Sequence, residues 1–153
     1  MKGIKAVFLD IDGVLTDGAI LIDSAGNELK RISFDDIDGV FRIKRAGMSI
    51  GFITGESSAF CDYVQRRFEP DYFVRGCKDK VTAMQSLLSA NRLAADEVCY
   101  VGDSLHDCGL LRFLPHSFVP SDVAAEVKEC AKQVLPAERG KGVVMALARL
   151  IVP

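Results

Sequence analysis

Short apolar runs that end in acidic or glycine-containing turns constrain this chain more than any other feature. Residues 4–9 are nearly all apolar and stop abruptly at Asp10. Similar runs span residues 49–53, 98–101 and 117–119, with a weaker one at 72–74. A strand covered on both faces needs this continuity, because successive side chains point to opposite sides of the sheet. Helical patterns lie between the runs. Val40, Ile43 and Lys44 mark one that ends near Gly47, and Ser57 reads as the cap of another through Tyr63 and Val64 to Phe68. Val81, Met84, Leu87 and Leu88 mark a third, and residues 105–114 and 143–151 supply two more. Strands that alternate with helices predict βαβ units, hence an α/β fold with a parallel, Rossmann-like sheet flanked by helices.

One stretch breaks the alternation. Residues 19–22 and 28–32 read as two strands joined by the turn-rich segment Asp23-Ser24-Ala25-Gly26-Asn27. The pattern predicts a small β-hairpin flap over about residues 19–32, too short to be a cap domain. With no linker, repeat or low-complexity tract, residues 1–153 read as a single domain, long enough to bury its own core.

Composition excludes several function classes. The formal net charge is −2, and no run of Lys or Arg suggests a nucleic-acid partner. No apolar stretch approaches the roughly 18 residues of a membrane span, and the N-terminus lacks the blocks of a signal peptide. The five cysteines are odd in number and have no CxxC spacing, which argues against a zinc site and a disulfide framework. They read as reduced thiols in a cytoplasmic protein.

The chemistry-bearing residues fall just after the strands. Asp10, Asp12 and Gly13 follow the first; Thr54, Gly55 and Glu56 follow the second; Gly102, Asp103 and Asp107 follow the fourth. In an open parallel sheet the carboxyl ends of the strands form the ligand crevice, so these clusters converge. Asp10 and Asp12 project to one side, and with Asp103 nearby they repel unless a cation sits among them. Hard oxygen ligands of this kind suit Mg²⁺ shared with a substrate phosphate. Thr54 offers a hydroxyl, Gly55 lets backbone N–H groups approach, and Lys80, which opens a helix, offers a cation for a phosphoryl oxygen. A carboxylate can attack phosphorus, and a second acid two residues on can protonate the leaving oxygen and then activate water.

The string Phe8-Leu9-Asp10-Ile11-Asp12-Gly13-Val14-Leu15-Thr16-Asp17-Gly18 resembles the first motif of the haloacid dehalogenase superfamily of phosphatases. Ile53-Thr54-Gly55 resembles its second motif, Lys80 its third, and Val101-Gly102-Asp103-Ser104-Leu105-His106-Asp107 its fourth. Gly13–Gly18, the hairpin, Asp36 followed by Gly39-Val40, and Arg139-Gly140-Lys141-Gly142 are similar to the capless branch. That branch acts on 3-deoxy-D-manno-octulosonate 8-phosphate and related nine-carbon keto sugar acid phosphates. The resemblance implies an Mg²⁺-dependent phosphatase with a sugar phosphate substrate and a homotetramer whose subunits close one another's sites. Asp10 is then nucleophile and metal ligand, Asp12 acid–base and backbone metal ligand, and Asp103 the other side-chain ligand. Thr54, Gly55 and Lys80 hold the phosphoryl group, and Asp107 and Ser104 support the metal ligands from behind. Asp36, Glu56, Arg67 and Arg139 are the expected substrate contacts. The chain departs from the branch at Ser104, where relatives often carry Asp, and at Met145, where they carry Arg. Glu56 stands where octulosonate phosphatases commonly have Arg and matches the nine-carbon relatives instead.

Other readings compete at single positions. An Asp-x-Asp can be a turn, Asp107 can stabilise a helix start, and His106 and His116 read as surface residues. A signalling receiver domain also combines acids, Thr and Lys on a parallel sheet. Its acceptor Asp follows the third strand, whereas the candidate here follows the first and is trailed by a second acid suited to turnover. A sugar-phosphate-binding subunit without catalysis is the other non-enzyme reading, and the complete set of Asp10, Asp12, Thr54, Lys80 and Asp103 speaks against it.

Overall fold

The computed structural model describes residues 3–152. β1 (Ala6–Leu9) lies inside a sheet and pairs in parallel with β4 (Ser49–Ile53) on one side and β6 (Val98–Val101) on the other. β5 (Tyr72–Val74), β7 (Ser117–Val119) and β8 (Gln133–Val134) extend it in parallel, giving the order β5-β4-β1-β6-β7-β8. From β1 the chain builds outward to β4 and β5, then crosses back to β6 on the opposite side. The crevice above β1 is therefore the topological switch point, the place where such sheets take ligands.

Strand alternation divides the core in two. Val7, Leu9, Phe52, Cys99 and Val101 face α1 (Phe34–Arg45), α2 (Ala59–Phe68) and α6 (Val143–Ile151). Ala6, Phe8, Ile53 and Tyr100 face α3 (Lys80–Asn91), α4 (Cys108–Phe113) and α5 (Ala125–Lys128). Both layers being covered is why the strands read as unbroken apolar runs. The antiparallel pair β2 (Leu21–Ile22) and β3 (Glu28–Leu29) forms the hairpin expected between residues 19 and 32, tied back to the main body by a bridge between Thr16 and Ile32.

Several boundaries differ from the sequence pattern for identifiable reasons. α1 begins at Phe34 rather than near Val40, because Ser33 caps it by accepting from the Asp36 N–H at 3.1 Å. Its first turn exposes Phe34 and Asp35 and buries an acid, Asp36, so it carries little apolar periodicity. The N-cap of α2 is Ser58, not Ser57. α5 and β8 are too short to leave a periodic trace. The expectation of wholly reduced cysteines is also corrected: Cys108 at the start of α4 and Cys130 just beyond α5 form a disulfide. The two lie 22 residues apart, and only the packing of α4 and α5 on one face of the sheet brings them together. Cys61, Cys77 and Cys99 are free thiols.

Candidate active site

Asp10 is the first residue beyond β1. Its N–H donates to the Val101 carbonyl at 3.0 Å, which prolongs the sheet and aims the side chain into the crevice. Its Oδ1 accepts from the Ile11 N–H at 2.7 Å, and its Oδ2 accepts from Lys80 Nζ at 2.6 Å. Lys80 opens α3, whose start is capped by the Asp79 carboxylate accepting from the Thr82 N–H. The Lys80 ammonium also donates to Asp107 Oδ1 at 2.7 Å and to the Tyr100 hydroxyl at 3.2 Å. Lys78, the rival lysine, stays exposed at the rim.

Asp107 organises the loop after β6. Its Oδ1 accepts from Lys80 and from Tyr100 OH at 2.6 Å; its Oδ2 accepts from the N–H groups of Asp103 and Ser104 and from Ser104 Oγ, at 2.9–3.0 Å. With those bonds the Asp107 carboxylate is committed to protein donors. Asp103 contrasts with it: among the described residues no donor hydrogen-bonds its side chain, and its nearest cationic neighbour, Arg139 Nη1, is 3.7 Å away. Gly13 makes room for it. A Cβ at Gly13 would fall 1.8 Å from Asp103 Oδ2, and the residue's φ of +82° also favours glycine.

Charge and burial set the electrostatics. Burial pushes the Asp10 carboxyl up to about 7, against the pull of Lys80 and with the help of Asp107 repulsion. Burial, again reinforced by Asp107, pushes Asp103 up to about 6. Burial also opposes ionisation of Asp107, but Lys80 and its hydrogen bonds hold it below the usual carboxylate range. Carboxylate oxygens of Asp10, Asp103 and Asp107 lie within 4.8 Å of one another around the single ammonium of Lys80. With Asp12 nearby, the acids outnumber Lys80 and Arg139, and the open lone pairs of Asp10 and Asp103 fit a small hard cation that keeps several waters.

Asp12 sits half-buried on the other side of Asp10. Lys30 Nζ, from the residue directly after β3, donates to both its oxygens at 2.8 and 2.9 Å. Thr54 is buried at the end of β4, where its N–H donates to Val74 and its carbonyl accepts from Cys77. Its Oγ1 accepts from the Glu56 N–H at 3.2 Å, which leaves the hydroxyl proton to be donated elsewhere. A Cβ at Gly55 would meet only the Cys77 carbonyl, at 3.7 Å, so that side is open to a ligand. Together these residues line a cavity of about 370 Å³, with Glu56, Lys78, His106 and Arg139 on its walls.

The structure thus brings Asp10, Asp12, Thr54, Gly55, Glu56, Lys80, Asp103, Ser104 and Arg139 to one cavity, with Asp107 beneath. Two expected substrate contacts are elsewhere. Asp36 is fully buried, and its carboxylate accepts from Ser33 Oγ and from the N–H groups of Gly142 and Val144 at 2.9 and 2.8 Å. It caps α6 from a distant helix and does not line the cavity. Arg67 lies exposed on α2 with its guanidinium 5.7 Å from the Phe41 ring centroid, likewise away from the cavity. Lys30 and the Tyr100 hydroxyl escaped sequence reasoning. A lysine on an exposed hairpin and an aromatic in a buried strand carry no distinguishing mark until the fold places their polar atoms.

Comparison with known proteins agrees with this geometry. A family profile for haloacid dehalogenase-like hydrolases matches residues 73–147. The 3-deoxy-D-manno-octulosonate 8-phosphate phosphatase of Haemophilus influenzae is 28% identical over 154 aligned positions, covering 99% of this chain and 84% of the relative. The enzyme of that name from Moraxella catarrhalis, solved with magnesium, phosphate and 3-deoxy-D-manno-octulosonate, superposes with a TM-score of 0.92 at 28% identity over 98% of this chain and 86% of that one. A structure from Legionella pneumophila assigned to subfamily III A of the haloacid dehalogenase superfamily reaches a TM-score of 0.93 and 33% identity, over 98% and 82% of the two chains. Sequence, fold and the placement of the acidic cluster at the switch point agree: the chain belongs to the haloacid dehalogenase superfamily.

Proposed function

We infer that this magnesium-dependent phosphatase removes the phosphate from 3-deoxy-D-manno-octulosonate 8-phosphate or a close keto sugar acid phosphate. The observation that carries the reading is the cavity itself, where Asp10 faces Lys80 and Thr54 while Asp12 stands beside them. The substrate class is supported by relatives of that name that align over nearly the whole chain.

In this reading the Asp10 carboxylate attacks phosphorus as the bond to the sugar oxygen breaks, and Asp12 gives that oxygen its proton. Asp12 then takes a proton from water, the water oxygen attacks phosphorus, and the bond to Asp10 breaks to release phosphate. Lys80 and the Thr54 hydroxyl hold phosphoryl oxygens, and Asp107 with Ser104 fixes Lys80 and the loop that carries Asp103. Asp10, Asp103 and the Asp12 backbone would hold Mg²⁺, which would supply neutralisation of charge on the phosphoryl oxygens. Arg139 and Glu56, on the cavity wall, contact the sugar acid.

Glu56 on the wall also favours a second reading, a nine-carbon nonulosonate 9-phosphate. Ionised Glu accepts hydrogen bonds and suits sugar hydroxyls, whereas Arg suits a carboxylate. Steady-state phosphate release over eight- and nine-carbon keto sugar acid phosphates and p-nitrophenyl phosphate separates the two. The eight-carbon substrate is expected to give the highest kcat/KM, and a higher value for the nine-carbon substrate establishes the second reading. No preference for either over p-nitrophenyl phosphate removes the sugar acid assignment.

The reading includes a cytoplasmic homotetramer. Ile20, Leu21, Ile22 and Leu29 on the hairpin and the neighbouring Phe34 are each half or more exposed, an apolar surface suited to a second copy.

A further inference from the structure

Lys30 lies in the hairpin segment directly after β3, of which Leu29 is 57% exposed. Its own side chain is only 4% exposed. A lysine has a flexible stem and a strongly hydrated charge, so a surface hairpin ordinarily leaves it in water. Here three elements hold the ammonium. The bridge between Thr16 and Ile32, two residues on from Lys30, fixes the hairpin against the loop that carries Asp12. The Phe60 ring of α2 lies under the charge, 5.4 Å from Nζ to the centroid. Both Asp12 oxygens accept from it, at 2.8 and 2.9 Å. Among the described residues, the other donor to that carboxylate is Thr16 Oγ1, at 3.4 Å.

We propose that Lys30 is a positioning residue for the reaction: the hairpin supplies the cation that fixes the orientation of the Asp12 carboxylate, so that placement of the acid–base group depends on the docked hairpin. The inference rests on the role given to Asp12 above. Asp12 must meet two different oxygens in turn, that of the leaving group and that of water. One flexible ammonium can hold Asp12 through one oxygen while the other carries or takes up the proton, so the group is aimed without being walled in. Sub-ångström aim matters, since a displacement of about 1 Å can cost on the order of a hundredfold in rate. Lys30 does not line the cavity, so its effect reaches substrate through Asp12 and not by contact.

The test compares wild type, Lys30→Met and Lys30→Arg in steady-state hydrolysis of p-nitrophenyl phosphate with saturating Mg²⁺, with thermal melts of each. The expected result is a kcat lowered about 10- to 100-fold in Lys30→Met, a KM within about twofold of wild type, and recovery of most of the rate in Lys30→Arg. Lys30→Gln, which keeps a donor without the charge, takes the place of Lys30→Met if the apolar variant melts early. An unchanged kcat, or a raised KM at constant kcat, overturns the positioning role while leaving the phosphatase reading intact. Absence of turnover in the wild type overturns both.

Discussion

Lys80 carries three relationships at once, and each makes a different demand on a substitution. Its ammonium pairs with Asp10 and Asp107 in a site where the three side chains are at most 10% exposed. Removing one partner of a buried ion pair strands the other charge, at a cost of about 3–5 kcal/mol. Lys80→Met should fall near the lower bound, about 3 kcal/mol by denaturant titration, because Asp10 with its raised affinity for protons can become neutral. A loss under about 1 kcal/mol would show the network to be far weaker than its geometry implies. Asp10 and Asp103 bear on metal binding in the same way. Both are raised acids, to about 7 and about 6, so the metal-free fold holds their protons more tightly than the unfolded chain. The stability they lend is full below the ordinary carboxylate range and is lost as pH rises through these values. Mg²⁺ competes with those protons, so its apparent affinity tightens with pH. The rise in Tm on adding Mg²⁺ should be small at about pH 5 and larger at about pH 7.5, with more than about tenfold tighter binding. An increment independent of pH would contradict the assignment of Asp10 and Asp103 as ligands. Which residues converge was legible from their places after strands; which partners they hold was not. Tyr100 shows why: in sequence it is one more buried aromatic, and its value lies in a hydroxyl whose direction only packing decides.

Helices and strands explain both the success and the failure of the pattern. β4, β5, β6, β7 and α6 lie where the apolar runs place them, because two-sided burial leaves an unambiguous signature. α1 carries Asp36, and here proximity to a motif misleads. The acid's position beside Gly39-Val40 suggested substrate, but its carboxylate satisfies the N–H groups of Gly142 and Val144, more than a hundred residues away, and so anchors the start of α6. Gly39 belongs to the same contact, since a Cβ there would fall 2.5 Å from the Met145 nitrogen. Asp36→Ala should therefore cost about 2 kcal/mol of stability, the cost of leaving buried N–H groups unpaired, with KM for p-nitrophenyl phosphate little changed. A raised KM with unchanged Tm would return Asp36 to the substrate.

At the scale of the whole molecule, one crossover of the chain puts four distant segments around a single crevice, and the small hairpin reaches its edge through Lys30 and Asp12. A site that must exclude water gains from a larger lid, and the apolar face of the hairpin gives a second copy a reason to provide one. Light scattering should report a tetramer, and replacing Leu21 and Leu29 with Ser should shift it toward smaller species with lower kcat; a fully active monomer contradicts the assembly. Asp10 as the attacking carboxylate of a magnesium-dependent site is checked by phosphate release from 3-deoxy-D-manno-octulosonate 8-phosphate by wild type and Asp10→Asn, each stripped with EDTA and then given Mg²⁺. Turnover is expected only in the wild type and only with the metal restored, with both proteins equally folded. Turnover by Asp10→Asn near the wild-type rate, or full wild-type activity without metal, would contradict it.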